Sequence, residues 1–257
     1  MVKIDLVTGF LGAGKTTFLK KYAKYLLSKG ENIGILENDF GAVNVDMMLL
    51  ADLMGDHCEL EMVSGGCDAD CHRRRFKTKL IAMGMCGYDR VIVEPSGIFD
   101  VDEFFDALRE EPLDRWYEVG NVIAIVDANL EESLSKEAEY ILASEVANAG
   151  AIVLSHADEM PESQADKVVE HVNRALEQIK CPRRVDKEVL RKSTLSLTDE
   201  DFEKLVQCGY QFESYQKLEL EEKKGFESVY FMNFRMTEDE LRAKVEKLMK
   251  DPTCGDV

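Results

Sequence analysis

From residue 2 to about residue 180, short apolar runs rich in β-branched residues alternate with longer segments of helical period. The runs are Ile4-Asp5-Leu6-Val7, Ile33-Gly34-Ile35-Leu36, Arg90-Val91-Ile92-Val93, Val122-Ile123-Ala124-Ile125-Val126 and Ala151-Ile152-Val153-Leu154. Helical patterns such as Lys15 to Ser28 and Glu162 to Gln178 separate them. Near-continuous apolar strands between helices predict an α/β fold with a mostly parallel sheet flanked by helices on both faces. Ligands of such sheets bind beyond the strands' carboxyl ends, so the chemistry is expected in the loops after those five runs.

Beyond residue 180 the pattern changes. Thr198 predicts the cap of a short helix running to Cys208, and Glu219-Leu220-Glu221-Glu222-Lys223-Lys224-Gly225 reads as a charged linker. The expected division is 1–224 for the α/β domain and 225–257 for the start of a small α+β C-terminal domain. There, Phe226 to Phe234 alternates like a strand, and Thr237 with Glu240 forms a capping box opening a helix to about Lys250. One strand and one helix do not make a core, so the sequence is expected to stop partway through that second domain.

Composition removes several function classes. The 257 residues carry 32 basic and 50 acidic side chains, a formal charge of −18, which argues against nucleic acid or an anionic membrane as the main partner. There is no basic leader followed by an apolar run, and no apolar stretch near twenty residues, so a cytoplasmic location is expected. The seven cysteines show no disulfide framework, and a reducing cytosol disfavours bridges.

The strongest chemical signal is Gly9-Phe10-Leu11-Gly12-Ala13-Gly14-Lys15-Thr16-Thr17, set between the first strand and the first helix. It satisfies the phosphate-loop pattern of a P-loop NTPase in the context that pattern needs. Gly9, Gly12, Ala13 and Gly14 shape a backbone cradle, Lys15 reaches the β and γ phosphates, and Thr16 offers its hydroxyl to Mg²⁺, with Thr17 beside it. The third run ends in Glu94-Pro95-Ser96-Gly97, where Glu94 suits a Mg²⁺ carboxylate or γ-phosphate sensor, or a purely structural strand end, and Gly97 gives a turn. Glu37-Asn38-Asp39-Phe40-Gly41 suits a loop responding to the γ phosphate, or a plain turn. The last run leads into Ser155-His156-Ala157-Asp158. Asp158 stands where an aspartate reads guanine, with Ser155 and His156 in place of the usual asparagine and lysine; the bland alternative is a helix cap.

A second signal is Ser64-Gly65-Gly66-Cys67-Asp68-Ala69-Asp70-Cys71-His72. If a helix starts near Asp68 and continues to about Gly84, Cys67 and Cys71 lie one turn apart on one face, in reach of a single soft or borderline metal ion. His57, Cys58, His72, Asp68 and Asp70 offer further ligands, and two incidental thiols are the alternative.

With these motifs in this order, residues 1 to about 180 resemble the CobW-like P-loop GTPases, relatives of the hydrogenase and urease nickel-insertion GTPases. The resemblance implies GTP binding with slow hydrolysis, Mg²⁺ at the P-loop threonine, and carriage of zinc or cobalt, held at a GCxCC motif, to a client metalloprotein or cofactor pathway. Lys15, Asp39 and Glu94 match the catalytic positions, Thr16 and Glu94 the Mg²⁺ positions, Asp158 the base reader and Cys67 the first metal cysteine. The other two cysteines do not match: Ala69 and Asp70 occupy their places and Cys71 comes one residue late. Ala42 replaces the family's acidic residue after the loop glycine. Cys67, Cys71 and His72 are the candidate ligands of the carried metal. The rival readings are an ATP-dependent small-molecule kinase and a non-catalytic nucleotide switch acting through partners, including a homodimer across the nucleotide face.

Overall fold

The computed structural model describes residues 1–10, 12–39, 45–64, 69–95, 101–217 and 236–248, with residues 39, 45, 69 and 70 by backbone alone. Seven strands, β1 (Val2–Gly9), β2 (Ile33–Asp39), β3 (Cys58–Ser64), β4 (Arg90–Pro95), β5 (Tyr117–Asp127), β6 (Ala151–Ser155) and β7 (Val189–Leu190), form one sheet in the order β3-β2-β4-β1-β5-β6-β7. Every neighbouring pair is parallel. The five expected runs are β1, β2, β4, β5 and β6; β3 and β7 add a strand at each edge.

The helices are α1 (Lys15–Ser28), α2 (Val45–Leu50), α3 (Ala69–Gly84), α4 (Val101–Leu108), α5 (Leu113–Trp116), α6 (Lys136–Ala147), α7 (Glu162–Gln178), α8 (Asp199–Leu205) and α9 (Glu238–Leu248). Side chains alternate along each strand, so one apolar run serves two cores. Val91, Val93, Val122 and Ala124 pack under Phe76 of α3, Phe104 of α4, Ile141 of α6 and Val172 of α7. Ile92, Ile123 and Ile125 point the other way, against Phe18 and Leu19 of α1, Leu50 of α2 and Phe202 of α8.

The segment after residue 180 belongs to this layer structure. Thr198 caps α8 as expected, in a box where its side chain accepts from the Asp201 amide and Asp201 accepts from the Thr198 amide at 2.9 Å. The helix ends at Leu205 rather than Cys208. Phe202 is buried among Phe18, Tyr22 and Tyr25, with ring centroids 6.1, 6.3 and 5.5 Å away, which fastens α8 to α1.

Beneath the sheet's amino-terminal half lies a buried polar network. Asp5, fully buried, accepts from Arg90 Nη1 at 2.7 Å, Tyr22 Oη at 2.7 Å and the Asn121 amide at 2.8 Å. Asn121 continues it, accepting from the Gly209 amide at 2.9 Å. Because every carboxylate oxygen has a donor, the buried charge is tolerated.

The chain divides into two compact units, Met1–Leu220 and Glu221–Val257. In the second unit α9 is the described element. Its expected capping box is present, with the Thr237 amide donating to Glu240 Oε2 at 2.9 Å and the Glu240 amide to Thr237 Oγ1 at 3.3 Å. The linker end at Gly225 and the strand expected over Phe226 to Phe234 lie outside the described residues.

Candidate functional site

The sheet order places β1 between β4 and β5, and the carboxyl ends of β1, β2, β4, β5 and β6 carry the candidate side chains. Gly9 closes β1 with φ +146°, and a Cβ there would lie 2.3 Å from the Ile125 carbonyl oxygen, so only glycine lets the chain leave the sheet at this point. Gly14 then turns left-handed (φ 89°) at the amino end of α1, which has no side-chain cap and no acidic residue in its first turn. The first amides of α1 therefore face the loop unpaired by a cap, a positive terminus suited to an anion. Gly12 takes φ 79°, Ala13 is buried and its amide donates to the Phe10 carbonyl at 3.1 Å, and Thr17 is exposed beyond it. Lys15 is only 8% exposed, with Nζ 3.4 Å from the Phe10 carbonyl oxygen.

Thr16 faces a group of carboxylates. Its hydroxyl lies 2.9 Å from Asp46 Oδ1 and 2.8 Å from Glu94 Oε1. Each of Glu37, Asp46 and Glu94 offers an oxygen, and these lie within 4.8 Å of one another. One hydroxyl proton serves one acceptor, so the second contact needs a proton on a carboxyl or a cation between the oxygens. Two further oxygens, Glu37 Oε1 and Glu94 Oε2, are buried without a hydrogen-bond partner. Burial, reinforced by Glu94 and Asp46, pushes the Glu37 carboxyl well above the usual range; burial also raises Glu94, against the pull of Lys15 and Thr16. Hard oxygen donors, orphaned acceptors and excess negative charge fit a divalent cation of the Mg²⁺ type.

Of the expected residues, Lys15, Thr16 and Glu94 thus converge. Asp39 ends β2, but its side chain, Phe40 to Asn44, Cys67 and Gly97 lie outside the described residues. Glu37 and Asp46 were not singled out from the sequence as members of this carboxylate group. Glu37 was readable as an acid breaking an apolar run, whereas Asp46 carries no signal outside the folded α2.

The base-reading end is rearranged relative to expectation. Asp158 sits in a 3-10 turn (Ala157–Glu159), not at a helix cap, and its exposed carboxylate accepts from Ser193 Oγ at 2.7 Å and from Ser196. The hydroxyls of Ser196 and Ser193 hold the pKa of this carboxyl below the usual carboxylate range. Ser155 turns inward toward the Val126 carbonyl oxygen at 3.4 Å. His156, in the left-handed region at φ 56°, holds Nδ1 3.1 Å from Asp127 Oδ1. Ser193 and Ser196 were not singled out, because their partner is 35 or more residues away in sequence.

At the cysteine helix, α3 starts at Ala69, and Cys71 is partly exposed on its first turn. His72 is 2% exposed, with Nε2 2.7 Å from Asn38 Oδ1, the residue after Glu37 on β2. Among the described residues, Cys71 and His72 do not join a third ligand; the group that does converge is the Glu37, Asp46 and Glu94 set.

Residues 3–184 match the model of the CobW/HypB/UreG nucleotide-binding domain. The chain is similar to the zinc chaperone YjiA of Escherichia coli (strain K12), 31% identical over 176 residues that cover 63% of this chain and 52% of YjiA. It is likewise similar to the zinc chaperone YeiR of the same organism, 30% identical over 169 residues covering 64% and 49%. The chain spans about half the length of both relatives. Among solved structures, that of Zn(II)-bound YjiA GTPase from E. coli is 28% identical with a TM-score of 0.43, covering 66% of this chain and 54% of that one. HypB from Helicobacter pylori in complex with nickel is 16% identical with a TM-score of 0.46, covering 79% and 82%. With the family model spanning most of its length, this chain belongs to the CobW/HypB/UreG family, and residues 3–184 are its nucleotide-binding domain.

Proposed function

We propose that this protein binds GTP, hydrolyses it slowly, and uses the nucleotide state to hold or release a transition metal of the zinc type destined for a client protein. The observation that carries this reading is the His72 to Asn38 contact of 2.7 Å, since Asn38 adjoins Glu37 of the nucleotide-side carboxylates and His72 adjoins Cys71. Two sites are thereby joined by one strand end and one helix start.

In this mechanism the amides of α1 and Lys15 bind and orient the phosphates. Glu94, Glu37, Asp46 and the Thr16 hydroxyl would hold Mg²⁺, which when bound neutralises charge on the β and γ phosphates. Asp158, kept as an ionised acceptor by Ser193 and Ser196, offers oxygen to the donor edge of guanine; an adenine would present a mismatched edge. Cys71, together with Cys67, holds the carried metal. Names of relatives support zinc as the cargo, and the altered cysteine pattern leaves fewer sulfurs than the family motif.

The test is zinc titration of the protein loaded with a non-hydrolysable GTP analogue, with GDP, or with nothing, repeated for Cys71→Ala and Cys67→Ala, beside GTP and ATP affinities. The reading expects a zinc affinity that changes with the nucleotide, loss of it in the cysteine variants, and GTP preferred over ATP. Equal zinc affinity in all three loaded states, or in the variants, refutes the carrier.

A further inference from the structure

We propose that the groove between β3 and α3 is a docking site for an acidic, extended segment of a partner protein, which adds to the sheet as a strand beside β3. This does not rest on the metal-carrier reading.

β3 is the terminal strand of the sheet and pairs with β2 on one side; on its other side Gly55 bridges Cys58 at the start of the strand, and from Leu60 onward no strand among the described residues pairs with it. Exposed strand edges are normally blunted by lysine, proline or a bulge. The sequence of β3, Cys-Glu-Leu-Glu-Met-Val-Ser, has no lysine or proline, its two charged side chains are engaged (Glu59 by the Tyr88 hydroxyl, Glu61 by Lys79), and its register with β2 runs unbroken from Ile33 and Cys58 to Asp39 and Ser64. An edge left open in this way is a template for one more strand.

The chemistry beside that edge is selective. The groove, about 510 Å³, is lined by Val63 and Ser64 of β3 and by Cys71, Arg74, Arg75 and Lys79 on one face of α3, among others, and among the described residues none of its lining is acidic. Such a lining stands out in a chain of charge −18. Arg75 Nη1 donates to the Ser64 carbonyl at 2.9 Å and Lys79 pairs with Glu61 at 2.7 Å, so these two also position the helix against the strand. Arg74 has no ion-pair partner among the described residues.

Charge decides the occupant. A second copy pairing β3 to β3 would bring two sets of these same cations together, and a polyanion such as RNA would meet the strongly negative remainder of the surface. A strand with carboxylates on alternate residues satisfies both features: its backbone completes the edge, and its acids on one face meet Arg74 and Arg75.

The experiment uses the full chain and a fluorescently labelled short peptide alternating glutamate and valine, read by anisotropy, with hydrogen exchange of β3 amides as the map. The expected result is saturable binding, slowed exchange at Met62 to Ser64, and about tenfold weaker binding in Arg74→Glu, with GTP affinity unchanged as the check on folding. Met62→Pro, which removes an edge amide, should weaken binding with the arginines intact, provided GTP affinity is retained. Equal binding of a lysine–valine peptide, an Arg74→Glu variant that binds normally, or unaltered exchange in β3 overturns the proposal. So does protection of the same amides by self-association without peptide, or stronger competition at Arg74 by RNA or phosphatidylserine vesicles.

Discussion

Asn38 Oδ1 and His72 Nε2 meet at 2.7 Å in the buried layer between the end of β2 and the first turn of α3. Asn38 adjoins Glu37, whose carboxylate lies within 4.8 Å of those of Asp46 and Glu94, and His72 adjoins Cys71. A shift of β2's end is therefore expected to reach the start of α3 through this contact.

Breaking this contact should uncouple the two sites without removing either. In His72→Ala, GTP affinity is expected to change by less than about threefold, while the ratio of zinc dissociation constants between triphosphate and diphosphate forms, expected at about tenfold or more in the parent, falls toward one. Calorimetric titration of both ligands reads this directly; a preserved ratio removes His72 from the path.

The carboxylate group makes a separate prediction. Glu94→Gln keeps shape and a hydrogen-bond acceptor for Thr16 but removes a charge. Mg²⁺-dependent turnover is expected to drop by roughly 10- to 100-fold, with GTP binding in the absence of divalent cation equal or tighter because a buried negative charge has gone. Single-turnover hydrolysis across a Mg²⁺ titration decides it.

Glu145 on α6 lies behind the phosphate loop, 1% exposed, and neither carboxyl oxygen has a hydrogen-bond partner among the described residues. Burial pushes it up to about 8, with only Lys15 and the Gly9 backbone favouring the charged form. A raised carboxyl holds its proton in the folded chain while the unfolded chain has ionised near 4.5. Its contribution therefore erodes stability progressively as pH rises from about 4.5 to about 8 and is constant above that. Glu145→Gln should flatten this slope and gain roughly 1–3 kcal/mol at pH 8, measured by urea denaturation of nucleotide-free protein across pH. An unchanged slope refutes it.

Phe202→Ala tests whether the segment after residue 180 is integral to the first unit. Removing a ring packed on Phe18, Tyr22 and Tyr25 should cost about 3–5 kcal/mol in denaturant, and in a single cooperative transition. A separate early transition would mark α8 as a detachable appendage.

What the sequence disclosed follows from range of interaction. The phosphate loop is local chemistry, with glycines, Lys15 and Thr16 within a few residues, and the apolar strands announce themselves because both of their faces are buried. β3 did not, since Glu59 and Glu61 interrupt its apolar run; the fold explains them, Glu59 accepting from the Tyr88 hydroxyl and Glu61 pairing with Lys79. β7, two residues long, is defined only by its partner β6. The same logic hid Asp46, which needs Thr16 thirty residues away, and the serines on Asp158. His72 was legible as a histidine beside cysteines, but its burial against Asn38 was not.

The Asp5, Arg90, Tyr22 and Asn121 network has a mechanical consequence. It clamps β1, β4, β5 and α1 together at the end of the sheet away from the nucleotide, in a place where any loosening would strand a charge in a dry interior. The rear of the molecule thus behaves as a fixed pivot. Free energy that a phosphate delivers at the front is therefore expected to displace what this network leaves unclamped, the end of β2 with Asn38 among it.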